Sequence, residues 1–210
     1  MARAKRSKPR SSSEARKKQI LDAAFACFMR RGFHKTTIDD IARKAGLAKG
    51  TVYWHFKDKQ DVFISFYMAW AQGYFEDFAK ILNSSRSARG KIYELGAYML
   101  KRAEDQPETN RAIHDLWLQA FDHPKTYTLF MRLYRQTIDQ LESLVREGIN
   151  KKELRPDINP RLAAFMVATV MDNLDHIHMM GFEEIDPFDY WQQVSRVLFE
   201  GIAPQAKNRR

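Results

Sequence analysis

Lys49, Gly50, Thr51, Tyr53, Trp54 and His55 fall within seven consecutive residues. They bring an ammonium, a hydroxyl beside a methyl, a phenol, an indole and an imidazole to one short segment. This is binding chemistry rather than bond-breaking chemistry. An ammonium can reach a guanine edge or a phosphate, and a threonine offers its methyl to thymine and its hydroxyl to phosphate. Gly50 lets a backbone or a nucleic acid approach closely. Trp54 is suited to packing along sugars and thymine methyls. The plainer alternatives are a solvated lysine at 49 and packing residues at Tyr53 and His55. An outward tryptophan on so short a segment is hard to explain by packing alone.

The neighbouring residues supply a frame for this segment. Ile38, Ile41, Ala42 and Ala45 recur at i, i+3, i+4 and i+7, which makes one helical face apolar. Thr37 with Asp40 has the form of a capping box that closes the helix N-terminus. Gly46 suits a left-handed C-cap. In the second helix Leu47, Val52 and Phe56 can face inward, which leaves Lys49, Thr51, Trp54 and His55 outward. Two short helices joined at Gly46 read as a helix-turn-helix, whose second helix enters a DNA major groove. Thr37 and Lys59 each sit near a helix N-terminus, where phosphates are favoured.

At these residues the chain resembles the TetR family of one-component repressors, in its AcrR-like branch. The stations are Phe28 to Gly32-Phe33, then Thr36-Thr37 through Ile41-Ala42, then Gly46, Gly50, Tyr53, Phe56 and Lys59. The match covers about residues 14–63. It departs from the family at Ala48, where serine is common, so a hydroxyl cap and a polar DNA contact are missing. Tyr53 and His55 are similar to the family's phosphate-contacting positions. The resemblance implies a C-terminal lobe that encloses an inducer site.

Charge is divided unevenly. Residues 1–60 hold 16 Lys+Arg and 5 Asp+Glu, a net of +11, whereas residues 61–210 carry a net of −2. A basic lobe beside a near-neutral one points to a polyanion bound at one end. Membrane-surface binding is the rival reading. It would need an exposed apolar helix face, which the small domain requires for its core. No run of 18 apolar residues occurs and the basic N-terminus has no apolar stretch behind it, so neither a membrane span nor a secretory signal is expected. The single Cys27 lies among Phe25, Ala26 and Phe28 in a helical run, as a core residue would, and its lone presence fits a cytoplasmic location.

The periodicity predicts an all-α chain of about nine helices, with no convincing strand. Residues 1–10 are expected to be a basic disordered arm, either solvated or laid along phosphates. Residues 11–57 form the three-helix DNA-binding domain and 58–204 a helical ligand-binding and dimerisation domain, followed by a basic tail at 205–210. A fourth helix from Asp58 to about Leu82 starts in the first lobe and runs into the second, so no flexible linker is expected between them.

The second lobe holds three of the four tryptophans and seven of the nine methionines. Such stripes are usually core, but they also line adaptable apolar pockets. The candidate effector residues are Tyr67, Trp70, Tyr98, Arg102, Trp117, Phe121, Tyr134, Asp172 and His176. Asp172, Asp175 and His176 share a helix face, yet ligand orientation or an interhelix bond suits them better than a metal. No metal or other cofactor is expected. An enzyme is disfavoured because no nucleophile elbow, phosphate-cradling GxxxxGK or dinucleotide motif occurs.

One short recognition helix reads few bases, so a homodimer on palindromic double-stranded DNA is expected. The small-residue face near 160–180 and the last helix near 187–201, with Trp191, Val194 and Leu198, are the expected interface. The reading is a repressor released by a small apolar or amphipathic effector. Its alternative is a DNA-binding protein without an effector.

Overall fold

The computed structural model describes residues 10–107, 109, 113, 118, 123–174, 177 and 182–202. Among them are eight α-helices and no strand. The helix expected from Pro107 to about Phe121 falls largely outside the described residues, as do residues 1–9 of the arm expected at 1–10, whose last residue Arg10 instead opens α1, and the tail at 205–210. No described helix is long and apolar enough to cross a membrane.

The chain divides into two compact units, one of residues 1–74 and 108–127, the other of residues 75–107 and 128–210. In the first, α1 (Arg10–Lys35), α2 (Ile38–Ala45) and α3 (Lys49–His55) enclose Ile20, Ala24, Phe28, Ile41, Ala42 and Val52. These apolar residues recur at helical spacing, so each helix turns a single stripe inward. α1 is broken near its end by Gly32, at φ 72 and ψ 168. The hydroxyl of the buried Thr36 closes the break by donating to the carbonyls of Gly32 (2.8 Å) and Cys27 (3.2 Å).

The expected caps are present. Asp40 N donates to Thr37 Oγ1 (3.1 Å), and Thr37 N donates to Asp40 Oδ2 (3.1 Å). Gly46 takes φ 64 and ψ 33, and its N–H turns back onto α2 carbonyls. Ala48 makes no side-chain cap at α3, which follows from its missing hydroxyl. Gln19 of α1 donates to Ala45 O (2.7 Å) and so fixes the end of α2.

α4 (Lys59–Leu82) starts in the first unit, where Asp58 Oδ1 accepts from Asp61 N (2.7 Å). Its Phe63 meets Phe28 and Phe33 edge-on, with centroids 5.9 and 5.4 Å apart, and its Phe66 stacks on Phe25. Gln60 of the same helix bonds the buried Thr126 hydroxyl.

The second unit contains α5 (Ala88–Asp105), most of α6 (Pro124–Asn150), α7 (Pro160–Asp172) and α8 (Pro187–Ile202). Pro160 opens α7 behind an Asn159 cap, whose side chain accepts from Leu162 N (3.1 Å). Trp191 of α8 is fully buried. Its indole lies over Gly96 of α5, and Nε1 donates to Tyr93 O (2.9 Å).

The expected interface face needs correction. Ala163, Ala164, Val167, Ala168 and Trp191 all point into this unit's own core. Small side chains permit close helix approach, and here the unit uses them internally. The large apolar residues that α7 and α8 leave exposed are Leu162, Phe165 and Met166 on α7 and Phe188, Tyr190 and Val197 on α8.

Candidate nucleic-acid interface

The first turn of α3 and the first turn of α2 come together through Lys49 and Asp39. Lys49 Nζ donates to Asp39 Oδ2 at 2.7 Å, and both side chains are about half exposed. That hydrogen bond, reinforced by the carboxylate's charge, raises the Lys49 pKa above the ordinary lysine value. Lys49 therefore stays cationic and is presented at the surface with a carboxylate attached. Sequence reasoning missed Asp39. Its signal was faint, because an acidic residue in a first helical turn is ordinarily read as a dipole partner.

Along α3 the exposed groups follow the helix period. Gly50 is exposed, and a Cβ built there would meet no other atom within 4 Å. The chain's own packing thus does not require glycine at this position, and the open space is available to a ligand. Tyr53 is 49% exposed and Trp54 is 74% exposed. Thr51 is half-buried, while Val52 faces fully inward.

His55 is half-buried and edge-on to Trp54, with centroids 4.5 Å apart. Burial first, and the Lys17 charge second, hold its pKa below the ordinary histidine value. Neutral His55 braces Trp54.

Thr37 is engaged in the α2 capping box, with its hydroxyl 2.7 Å from Asp40 Oδ2. Lys59 is turned inward more than expected. Its Nζ donates to the carbonyls of Phe33 (2.7 Å) and His34 (3.2 Å) and lies 4.4 Å from the Phe33 ring centroid. Burial lowers its pKa from the ordinary lysine value. Lys59 thereby satisfies carbonyls at the broken end of α1, where the helix supplies no N–H. Nearby on α1, Arg30, Arg31 and Lys35 line an open basic cleft, and Arg31 reaches Asp40 Oδ1 at 3.1 Å.

The effector candidates fall into separate groups. Tyr67 and Trp70 lie in the first unit, with ring centroids 5.6 Å apart. In the second unit Tyr98 O–H donates to Asp77 Oδ2 (3.1 Å), and Arg102 Nη1 donates to Tyr98 Oη (3.0 Å). Tyr134 O–H donates to the Asp172 carboxylate. Burial first, and that carboxylate second, raise the Tyr134 pKa far above the ordinary phenol value. Trp117, Phe121, Asp175 and His176 lie outside the described residues. Among the described residues no group of three or more His, Cys, Asp or Glu is placed to hold a metal.

Residues 20–66, which contain this surface, match the family model for bacterial regulatory proteins, tetR family. The chain is 24% identical over 190 residues to the fatty acid metabolism regulator protein of Bacillus subtilis, covering 88% of this chain and 94% of that one. It is 39% identical over 56 residues to the HTH-type transcriptional regulator AcrR of Shigella flexneri, covering 27% of this chain and 26% of that one. The likeness to AcrR thus spans about a quarter of that protein's length. The fold is similar to the crystal structure of the regulator FadR from Bacillus subtilis in complex with stearoyl-CoA, with a TM-score of 0.76 at 22% identity over 88% of this chain and 98% of that chain.

Proposed function

Residues 20–66 match the tetR family of bacterial regulatory proteins, and on that premise we propose that the chain is a repressor of this family that binds palindromic operator DNA as a homodimer. The observation that carries the reading is the outward face of α3, where Lys49, Gly50, Tyr53 and Trp54 stand exposed on a helix-turn-helix whose first helix is capped at both ends. A helix of seven residues reads few base pairs, so two copies supply the specificity. Leu162, Phe165, Met166 and Val197 form the apolar surface through which the copies join.

The effector is a lipid-like amphipathic molecule of the fatty acyl class. Support comes from the relative that regulates fatty acid metabolism and from the similar fold crystallised with stearoyl-CoA. An effector that binds better to the DNA-incompetent state must weaken DNA binding by the same coupling, typically about 5- to 150-fold.

DNA selection from a random pool, followed by fluorescence anisotropy with stearoyl-CoA, stearate and free CoA, tests the reading. Enrichment of a palindrome and its release by an acyl compound are expected. Enrichment with affinity unmoved by all three would leave a DNA-binding protein outside the acyl-responsive class. Failure to prefer any sequence would remove the reading altogether.

A further inference from the structure

Asp39 is an acidic group at the reading surface of a lobe whose remaining charge is strongly positive. Residues 1–60 hold only 5 acidic residues against 16 basic ones. Fold stability gives only a modest reason for it, because Asp40 shares the first turn of α2 and already complements the helix dipole there. The bond to Lys49 is exposed on both sides, and exposed ion pairs contribute little. Asp40, the next residue, already supplies the capping carboxylate of α2. As a negative charge on the DNA-facing surface proposed above, Asp39 repels the phosphate backbone and so opposes DNA binding in general.

We propose that Asp39 is a specificity-determining residue, acting with Lys49 as one composite head that reads a C·G base pair in the major groove. The inference rests on the DNA-binding reading above and deepens it. Guanine presents two adjacent acceptors, O6 and N7, and its cytosine presents the N4 amino donor. The ammonium of Lys49 seats on the guanine acceptors and the carboxylate of Asp39 takes the cytosine amino group. Their 2.7 Å bond holds donor and acceptor side by side before DNA arrives. An A·T pair places its donor between its two acceptors, so the ammonium finds one acceptor rather than two.

The same bond suppresses unspecific binding. Affinity for random DNA comes from cations neutralising phosphates and releasing counterions. A lysine held by a carboxylate adds no net charge, and it must give up that partner to take a phosphate. On the cognate base pair it gives up nothing. The acid therefore lowers affinity for every sequence but lowers it least on the right one.

The test compares full-length wild type with Asp39→Asn on the selected operator and on a random duplex, across a salt series. Asparagine keeps the shape and removes the charge. The expected result is tighter binding to random DNA, with a salt slope steeper by about one. The operator-to-random ratio should fall at least about fivefold. Replacing the C·G pair under the first turn of α3 by T·A should cost wild type at least about fivefold, and cost Asp39→Asn distinctly less. In a double-mutant cycle with Lys49→Ala the two substitutions should be non-additive on operator DNA. An unchanged ratio in Asp39→Asn, or equal losses on both DNAs with additive energies, overturns the proposal while leaving the repressor reading intact. Wild type that prefers no sequence overturns the reading itself.

Discussion

The indole of Trp191 occupies the space that a side chain at position 96 would need. A Cβ built on Gly96 would meet Trp191 Cε2 at 2.2 Å. The indole is also tied to Tyr93 O, so it cannot swing aside without losing a buried hydrogen bond. Gly96→Ala should therefore destabilise the second unit by roughly 1–3 kcal/mol, as overpacking does. Thermal unfolding followed by tryptophan fluorescence checks this, and an unchanged melting temperature would contradict it.

Base reading and backbone holding should separate. Lys49→Ala and Thr51→Ala should lower the preference for operator over random DNA by about 5- to 150-fold. Competition binding at fixed salt measures the preference. Loss on both DNAs by one factor would assign these residues to phosphates.

Lys59 should behave as a structural residue as well as a cation. Lys59→Met keeps an unbranched side chain of similar length and removes the ammonium with its bonds to the Phe33 and His34 carbonyls and its place over the Phe33 ring. Stability of the intact protein should fall by roughly 1 kcal/mol, the usual cost of such a bond where water still reaches it. Denaturant unfolding gives that number. A variant as stable as wild type would return Lys59 to a purely phosphate role.

His55 sets a pH dependence. Its folded pKa lies below the ordinary value of 6.5, so the unfolded chain binds the proton more readily. Its contribution is fully present above pH 6.5 and is lost as pH falls from 6.5 through the lower folded value. Urea unfolding at a series of pH values should show this decline, and His55→Gln should flatten it. An identical profile in the variant would assign the decline elsewhere.

Phe165→Glu places a charge on the exposed apolar surface of α7 without touching the core, since Phe165 is 51% exposed. Sedimentation should show dissociation toward monomer, with operator affinity falling in parallel. A variant that remains dimeric would move the interface elsewhere.

The helix-turn-helix was legible because each local rule applies within a few residues. Thr37 with Asp40, Gly46 and the stripe of Ile38, Ile41 and Ala45 all act inside one turn or one face. Trp191 was harder. Its apolar neighbours at helical spacing fit an intersubunit face and an internal one equally well, and what decided between them was Gly96, far away in sequence. Asp39 was hidden for a related reason, since its partner lies on the next helix. Lys59 combined both difficulties, because its acceptors are backbone carbonyls that no residue type announces.

The bond between Trp191 and Tyr93 closes a stretch of 98 residues, whereas Gln19 to Ala45 and Lys59 to Phe33 each close 26. Closing a longer loop costs more chain entropy and takes longer to find. The helix-turn-helix end can therefore settle during synthesis while α8 is still unmade. Until Trp191 arrives, the surface of α5 around Gly96 stays uncovered. That interval is when the growing chain has most to gain from a chaperone.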